Sequence, residues 1–459
     1  MRKSFLKSII LTVLGYLAIL NFTHSQSIAG GVWNTYFYCN GNLTSVGNNS
    51  EGQLGNGTAI SSDSVPNNVI GPSSVFSMAG SYHAMFVAGD STVWSTGQNY
   101  GGQCGNGTNA TVNPPAQIAG LTGVVKVAAG ESHTLILKAD GTVWACGSTT
   151  NGEFGNGMIT DSNVPVQCSI TNVVDIAVGS YHSVFLKADG TIWTCGYNLY
   201  GQLGLGFGNT SPNALPAQVD TITNGIAVTA GDQGTMVVTA DGFVWAFGYH
   251  GSYGKFGTGG INPGYTPMKS LITNVVDAVC GRYHSTFIKA DGTAWAAGSN
   301  YYGQLGDGTT TDADSIAIQV PGLTNIVDID LGYQHSIFLK GDGAVWVVGN
   351  NGYGQLGDGT TDPHHTPIQL SVCASSGIED FSSSQLTLYP NPATENVYVE
   401  ISEETDGTIE LINLNGTVIY SQKMVQQKTN LYIGNLTSGI YMVRVTTKSG
   451  SAVQKLIKN

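Results

Sequence analysis

The sequence predicts an all-β protein, a seven-bladed β-propeller followed by a small C-terminal β-sandwich. A glycine-rich motif recurs seven times at a period of about 50 residues, which is the size of a propeller blade. It is clearest at residues 302–309 and 353–360, which both read YGQLGDGT. Two further landmarks recur with it, a Trp that precedes a Gly by three residues and an Asp-Gly pair between apolar runs. Together they indicate one structural unit repeated around a ring.

The Trp landmark occurs in six of the seven units, and a His in a G-x-x-H frame lies eleven residues before it in five of them. The Trp residues are Trp94, Trp144, Trp193, Trp245, Trp295 and Trp346, and the His residues are His83, His133, His182, His284 and His335. Another unit has Gly234 in place of the His, and the first unit has Trp33 there. The Trp could form a binding surface or a chromophore set, but its place in an alternating strand favours the blade core.

Each unit contains the sequence of about four short strands. Asp-Gly between two apolar runs, as in HSVFLKADGTIWTCG from His182, is a strong hairpin signal because both residues tolerate positive φ. A Pro-containing strand follows the glycine-rich motif, and an apolar strand then leads to the next G-x-x-H. Four antiparallel strands of this kind make one blade.

Closure of the ring is predicted from the two ends of the repeat region. No apolar inner strand follows Leu370 in the last unit, whereas residues 27–30 form such a strand in front of the first unit. We therefore expect the N-terminal strand to complete the last blade. An open ring would leave two sheet edges free to pair with other chains.

The order of segments predicts an exported protein with two folded parts. Residues 1–25 resemble a signal peptide, because Arg2, Lys3 and Lys7 precede an apolar stretch too short to cross a bilayer comfortably. An N-terminal membrane anchor is the alternative. Residues 27–372 form the predicted propeller, 373–385 a polar linker and 386–459 the sandwich.

Composition limits the partners and cofactors. The chain has 17 Lys and Arg against 30 Asp and Glu, a formal net charge of −13, so we expect no nucleic-acid partner. Its seven Cys show no metal-type pairing; we interpret most of them as small apolar fillers, and a disulfide is permitted without being indicated. We expect no cofactor.

The repeated His and Asp residues suggest catalysis or metal binding, but their spacing favours structure. Equivalent positions lie one per blade and are too far apart to share one ion. The sequence from Asp307 offers oxygen donors but lacks the EF-hand spacing, as does Asp358, so turn formation is favoured. The pair His364-His365 is a weak metal candidate. We expect no metal site and no catalytic residue.

The repeat resembles the regulator of chromosome condensation family. GQLGDGT, the G-x-x-H frame, ADGTVW and the Pro-containing strand carry the resemblance over residues 27–372. The resemblance implies a seven-bladed propeller. It also raises guanine-nucleotide exchange on a small GTPase, the activity of the family's founding member, as an alternative function.

The C-terminal module resembles the sorting domain of the type IX secretion system of Bacteroidetes-type bacteria. YPNPATENVYVEI, the turn at residues 413–416, LTSGIYMVRV and the Lys455-Leu456-Ile457 ending carry this resemblance. It implies recognition by the type IX secretion machinery, passage through the outer membrane, removal of the module and often attachment to surface lipopolysaccharide. The expected location is therefore the medium or the outer-membrane cell surface.

Two deviant loops in neighbouring repeats are the only pointer to a ligand. They begin at Leu205 and Tyr249, and the second contains the candidate contact residues Tyr249, Tyr253, Phe256 and Tyr265. Exposed aromatic residues in variable loops are suited to contacts, although simple loop drift explains them equally well. We hypothesise a secreted or surface-bound, non-catalytic propeller that binds protein or glycan. A secreted enzyme or enzyme inhibitor is a further alternative.

Overall fold

The computed structural model describes two compact units, Met1–Cys373 and Ala374–Asn459. The described residues are 26–39, 41–251, 253–260, 264–312, 315–372, 386–391, 393–401, 407–412, 418–424, 426–436, 439–447 and 451–458. The expected signal peptide and the expected linker lie outside them. Each unit is described by itself.

The described residues of the first unit form seven four-stranded antiparallel sheets, each built from four consecutive strands. Blades 1 to 3 contain β1 (Gln26–Gly30), β2 (Asn34–Cys39), β3 (Asn42–Asn48), β4 (Ser62–Asn68); β5 (Ser77–Gly80), β6 (His83–Val87), β7 (Val93–Gly97), β8 (Val112–Gln117); and β9 (Val124–Ala129), β10 (His133–Lys138), β11 (Val143–Gly147), β12 (Ser162–Gln167). Blades 4 and 5 contain β13 (Val173–Val178), β14 (His182–Lys187), β15 (Ile192–Asn198), β16 (Asn209–Gln218); and β17 (Gly225–Ala230), β18 (Gly234–Thr239), β19 (Phe243–Gly248), β20 (Gly264–Thr273). Blades 6 and 7 contain β21 (Val275–Cys280), β22 (His284–Lys289), β23 (Ala294–Gly298), β24 (Ile318–Gln319); and β25 (Ile326–Leu331), β26 (His335–Lys340), β27 (Val345–Gly349), β28 (His364–Leu370).

The apolar core lies between blades. The second strand of a blade is apolar on both faces, as in HSVFLK of β14, because each face packs against a neighbouring blade. Seven clusters of buried side chains result, one for each pair of neighbouring blades, including the pair formed by blades 7 and 1. The first unit is therefore a closed seven-bladed propeller.

The closure differs from the prediction. β1 pairs with β2 and belongs to the first blade, while the last blade is complete with its own inner strand β25. The inner strand of each repeat thus starts a blade instead of ending the preceding one. The ring closes through side chains: Ile28 and Phe37 of blade 1 share a core with Ile337 and Leu339 of blade 7.

The repeated His forms a polar link within this core. The Nε2 atom of His133 lies 3.0 Å from the Ser183 hydroxyl of the next blade, and that hydroxyl donates to the main-chain oxygen of Glu153 at 2.6 Å. The same arrangement recurs for His83, His182, His284 and His335 with a Ser or Thr of the following blade. Burial lowers the pKa of four of these His side chains to about 3 and that of His335 to about 4. The structural interpretation of the repeated His is therefore supported by its geometry.

Two blades lack this His. In blade 1 the equivalent residue is Asn34, which pairs with Gly47 as His83 pairs with Gly97; the assignment of Trp33 to this position was wrong by one residue. The following blade carries Ala84 in place of the Ser or Thr.

The half-buried Trp residues pack on the interfaces with one face only. Trp193 lies against the cluster between blades 3 and 4, and its indole N–H donates to the Thr191 hydroxyl at 3.1 Å. The ammonium group of Lys187 lies 5.2 Å from the Trp193 ring centroid, and Trp295 has equivalent contacts. The Trp therefore joins the core to the Asp-Gly hairpin.

Cysteine usage agrees in part with the prediction. Cys104, Cys146, Cys168, Cys195 and Cys280 are buried free thiols. Cys39 takes part in a disulfide, which the sequence permitted without indicating.

The second unit consists of two antiparallel sheets around one core. Its strands are β29 (Leu386–Tyr389), β30 (Asn396–Ile401), β31 (Gly407–Ile412), β32 (Val418–Met424), β33 (Lys428–Tyr432), β34 (Gly439–Thr447) and β35 (Ser451–Lys458). The sheets have the orders β29-β30-β33 and β32-β31-β34-β35. Val397 and Leu431 from one sheet share a core with Ile409 and Val443 from the other, as expected for a sandwich. The expected turn at residues 413–416 lies outside the described residues.

Among the described residues, no helix has the length and apolar character that a membrane crossing requires.

The first testable prediction concerns the blade 7–blade 1 interface. Phe37 and the equivalent Phe185 are both fully buried, Phe37 at the closure and Phe185 between blades 3 and 4. Because both leave a cavity of similar size, replacement of either by Ala should lower the free energy of unfolding by about 3–5 kcal/mol. Chemical denaturation measures both variants. A much smaller loss for F37A than for F185A would show that the ring is not sealed by this core.

The second prediction concerns acid stability. A His whose pKa is about 6.5 unfolded and about 3 folded contributes stability that is present above pH 6.5 and is lost as the pH falls towards 3. Each such His changes the unfolding free energy by up to about 1.4 kcal/mol per pH unit. Asp330 acts in the opposite sense over much of this range, because burial raises its pKa to about 7. The net expectation is a marked loss of propeller stability between pH 6.5 and 4.

Denaturation midpoints measured across this pH range test the prediction. H83Q removes one titrating side chain, so it should reduce the slope of unfolding free energy against pH by the contribution of one proton. The second unit contains no His, so its own unfolding transition provides the control. A slope unchanged in H83Q would contradict the assignment of acid sensitivity to these side chains.

Candidate binding face

The two faces of the propeller carry different connections. The G-x-x-H turn before the second strand and the loop after the third strand lie at the same end of each blade, because His83 pairs with Gly97. Main-chain bonds join the two, as from Gln98 N to Tyr82 O at 3.1 Å. We call this end of the ring the loop face. The Asp-Gly hairpins lie at the opposite end.

Side chains of the G-x-x-H turns meet across the ring on the loop face. Arg282 of blade 6 contacts Glu131 of blade 3 at 3.1 Å and Asp232 of blade 5 at 3.6 Å. The hydroxyl of Tyr333 in blade 7 also donates to Glu131. We call Glu131, Asp232, Arg282 and Tyr333 the mouth cluster. It links four blades through side chains from one type of turn.

The mouth cluster keeps its charges through mutual contact. Burial and the neighbouring Glu131 carboxylate raise the pKa of the Tyr333 hydroxyl, which therefore remains a proton donor. Burial opposes the charge of Arg282, but Asp232 and the tyrosines outweigh it and raise the pKa of its guanidinium group. The guanidinium carbon also lies 4.8 Å from the centroid of the Tyr333 ring, a cation–π distance. The cluster is a fixed structure in which one guanidinium group is shared by two carboxyl groups.

A group of aromatic rings lies along one side of the mouth cluster. Trp33 contacts the rings of Tyr82 at 6.0 Å and Tyr333 at 6.2 Å, both edge to face. It also stacks on Tyr353 with 5.2 Å between centroids. Tyr283 lies 6.4 Å from Tyr333. Tyr353 remains 38% exposed, so this aromatic group is accessible from the loop face.

A second aromatic group runs from the mouth onto blades 4 and 5. Tyr181 contacts Tyr197 at 6.4 Å, Tyr197 contacts Tyr200 at 6.4 Å, and Tyr200 contacts Tyr249 at 5.3 Å. We call these four residues the tyrosine row. Ser180 N donates to Asp232 O at 3.1 Å, so Tyr181 at the inner end of the row lies beside the mouth cluster. Burial and then Glu131 raise the pKa of Tyr181.

The structure separates the four aromatic residues proposed from the sequence. Tyr249, Tyr253 and Tyr265 are exposed by 37%, 40% and 42%. Tyr249 belongs to the tyrosine row, whereas Tyr265 lies against the neighbouring blade, where a Cβ at Gly201 would stand 2.6 Å from its Cα. The deviant loops do lie in adjacent blades, and they include the two longest outer strands, β16 and β20.

The proposal of Phe256 as a contact residue is wrong, because its side chain is fully buried. A Cβ at Gly234 would meet the Phe256 ring at 2.4 Å and the Lys255 side chain at 3.3 Å. The side chains of Phe256 and Lys255 therefore occupy the space that the repeated His fills in other blades. Lys255 is itself buried and donates to the main-chain oxygens of Gly281 and Arg282 at 3.1 and 3.2 Å. The loss of the His in blade 5 is thus compensated inside the interface and is not a surface feature.

Sequence analysis missed the mouth cluster and most of the tyrosine row. A signal was present in the two positions before the His, where Tyr82, Tyr181 and Tyr283 recur and where Glu131, Asp232 and Arg282 carry charge. These positions vary among repeats that otherwise agree. The contacts among these side chains cannot be predicted from one repeat, because each partner comes from a different blade.

The Asp residues considered as calcium ligands take part in turns. Asp307 Oδ1 accepts bonds from Thr309 N at 2.9 Å and Asn300 Nδ2 at 3.0 Å. Asp358 has equivalent partners and also contacts His364 Nε2 at 2.7 Å. Within the described ranges, no group of three or more His, Cys, Asp or Glu has an arrangement that could hold a metal ion.

The fold and the repeated links between blades define a repeat β-propeller joined to a β-sandwich module. The model of the Regulator of chromosome condensation (RCC1) repeat matches residues 90–137, 140–186, 189–238, 291–339 and 342–385, and a second model of this repeat matches four further overlapping segments. The chain belongs to this family of RCC1-repeat proteins.

Relatives and solved structures agree with this assignment. The chain is 37% identical over 147 residues to the E3 ubiquitin-protein ligase HERC2 of Homo sapiens, which is 31% of this chain and 3% of that protein. It is 30% identical over 174 residues to the ultraviolet-B receptor UVR8 of Arabidopsis thaliana, 36% of this chain and 39% of that protein. The chain thus matches only a minor part of these relatives.

Two solved structures share the fold. Human WBSCR16 matches with a TM-score of 0.63 at 22% identity, covering 73% of this chain and 95% of the other. Yeast RCC1, in its complex with Kap60, matches with a TM-score of 0.65 at 18% identity, covering 82% and 89%.

The second unit matches the secretion system C-terminal sorting domain over residues 387–459. The chain is therefore exported, and its sorting domain interacts with the type IX secretion machinery. The protein reaches the medium or the cell surface.

Proposed function

We propose that this protein is a secreted or surface-bound recognition propeller that binds a partner through its loop face and catalyses no reaction. The observation that carries this proposal is the concentration of aromatic side chains on that face. Trp33, Tyr353 and the tyrosine row lie around a rigid mouth cluster whose charged groups are in mutual contact. Tyr, Trp and Arg are the residues that contribute most to binding energy at interfaces.

The scaffold suits recognition because it changes little on binding. The loops are fixed by repeated bonds, such as that from Tyr353 N to Gln355 Oε1 at 2.9 Å and that from Leu356 N to Asn351 Oδ1 at 2.9 Å. Side chains held in this way lose little conformational entropy when a partner docks.

The position of the repeated His supports a non-catalytic role. All five side chains are fully buried between blades, and each Nε2 atom is engaged by a neighbouring hydroxyl. They are held away from any substrate on either face. Export of the protein also argues against an exchange factor for a GTPase inside the cell. Attachment to surface lipopolysaccharide after removal of the sorting domain remains part of this proposal.

The third prediction tests recognition by the loop face. Y249A and Y353A each remove an exposed ring whose backbone is held by hydrogen bonds, so the fold should persist. The double variant of the chain from residue 26 should bind about 5- to 150-fold more weakly to cell envelopes of the producing organism, because each ring contributes about 0.5–1.5 kcal/mol. Binding is measured with labelled protein beside its melting temperature.

The control is Leu271→Ser, which changes an apolar residue that is 58% exposed on the outer strand β20, away from the two aromatic groups. It should bind like the unchanged protein. Equal weakening in the control and the double variant, or full binding by the double variant, would reject the loop face as the binding surface.

The fourth prediction concerns export. The propeller and the sorting domain are separate compact units, so a chain ending at residue 385 should keep a folded propeller. Without the matched sorting domain it should accumulate in the periplasm instead of reaching the surface. Cell fractionation with the full chain as the control measures this. Normal release of the truncated chain would show that another segment directs export.

A further inference from the structure

We propose that the ligand is a neutral sugar chain that lies along the tyrosine row. This inference rests on the proposed function and specifies its ligand. The row consists of Tyr181, Tyr197, Tyr200 and Tyr249, each in ring contact with the next. It begins beside the mouth cluster and crosses from blade 4 to blade 5.

The row is prearranged. Tyr197 N donates to Tyr181 O at 2.8 Å, and Tyr200 N donates to Gln202 Oε1 at 3.1 Å. Tyr249 N donates to Gln233 O at 2.8 Å. The backbone under each ring is therefore fixed by the same bonds that shape the loops of other blades. The four rings form one contiguous row, in which each ring contacts the next.

Comparison of the seven repeats shows that the tyrosine row departs from the repeat pattern in blades 4 and 5 only. The residue after the third-strand Gly is aromatic in blades 4 and 5, as Tyr197 and Tyr249, and polar in the other five, as Asn48, Gln98, Ser148, Ser299 and Asn350. In blade 1 the polar residue has a structural use, because Gln53 Nε2 donates to Asn48 Oδ1 at 2.7 Å.

Tyr197 has no amide oxygen to accept this hydrogen bond in blade 4. The Nε2 atom of Gln202, which is equivalent to Gln53, is buried without a partner among the described residues, as is that of Gln355 in blade 7, where the polar Asn350 has other partners. The aromatic residue therefore adds no hydrogen bond to the fold of blade 4 at this position, and we assign it to the surface.

Charge disfavours an anionic ligand. The two carboxyl groups beside the inner end of the row, Glu131 and Asp232, share the guanidinium group of Arg282, so the mouth cluster offers no surplus positive charge. The whole chain carries a net charge of −13, which repels polyanions. A neutral sugar chain offers apolar C–H faces to the rings and hydroxyl groups to the phenol oxygens, matching the two kinds of surface that Tyr presents.

Ring packing disfavours the main alternative, a proline-rich peptide. Such peptides dock into grooves lined by aromatic side chains. Along the tyrosine row, neighbouring rings meet edge to face or tilted, at interplanar angles of 73°, 66° and 49°, so each ring fills the gap beside the next. A ligand lies over this row instead of inserting between its rings.

The experiment uses the chain from residue 26 and immobilised cell envelopes of the producing organism as the probe. One portion of the envelopes is oxidised with periodate, which cleaves the vicinal diols of sugars, and another is digested with protease. We expect periodate to abolish binding and protease to leave it unchanged. Raising the salt to about 1 M, where the Debye length is about 3 Å, should change the affinity less than twofold.

Matched variants place the ligand on the row. Y200A/Y249A should weaken binding to untreated envelopes about 5- to 150-fold, and Y200F/Y249F should keep most of it, because the rings remain. The control is Tyr301→Ala, which removes a ring that is 71% exposed, lies in the equivalent loop of blade 6 and contacts Tyr302 outside the row.

The outcomes separate this inference from the proposed function. Loss of binding after protease with retention after periodate would overturn the sugar ligand while the recognition function stands. Full binding by Y200A/Y249A would overturn the row as the site. A strong decrease in high salt would contradict a neutral ligand. Absence of envelope binding by the unchanged protein would reject the proposed function and this inference together.

Discussion

The packing of each blade against both neighbours is the constraint on which the rest of this structure depends. A four-stranded sheet of this size cannot bury two apolar faces by itself, so every blade needs a partner on each side. Seven interfacial clusters meet this need, and the seventh joins the two ends of the repeat region. The polar link from His to hydroxyl to main-chain oxygen fixes the register of neighbouring blades, because it joins the second strand of one blade to the loop of the previous one.

This constraint explains why departures from the repeat have different meanings in the interior and at the surface. Inside an interface, a lost group must be replaced. Lys255 and Phe256 fill the space left at Gly234, and the fold is kept. On the loop face no such replacement is needed. Tyr197 and the mouth cluster are tolerated there because they do not lie within the apolar core between blades, so variation at these positions carries information about function.

The sorting domain determines where the propeller can meet a partner. A rigid ring with aromatic loops on one face is suited to many partners, and the fold alone selects none of them. Export by the type IX route restricts the partners to molecules met outside the cell. The acidic charge of the chain and the engagement of Arg282 by its mouth neighbours restrict them further, away from polyanions.

The sequence by itself determined the class of fold, the number of blades, the hairpins and the presence of a separate sorting module, because these follow from local patterns that repeat or end abruptly. It also identified Tyr249, Tyr253 and Tyr265 as exposed. Tertiary structure decided which blade owns the strand at residues 26–30, since both assignments satisfy the same local pattern and differ only in the hydrogen-bond partner. It decided that Phe256 is buried, because the space left by an absent His is visible only in three dimensions. It also brought Glu131, Arg282 and Tyr333 together, since they hold the same position in different repeats and only the closed ring places that position from several blades in contact.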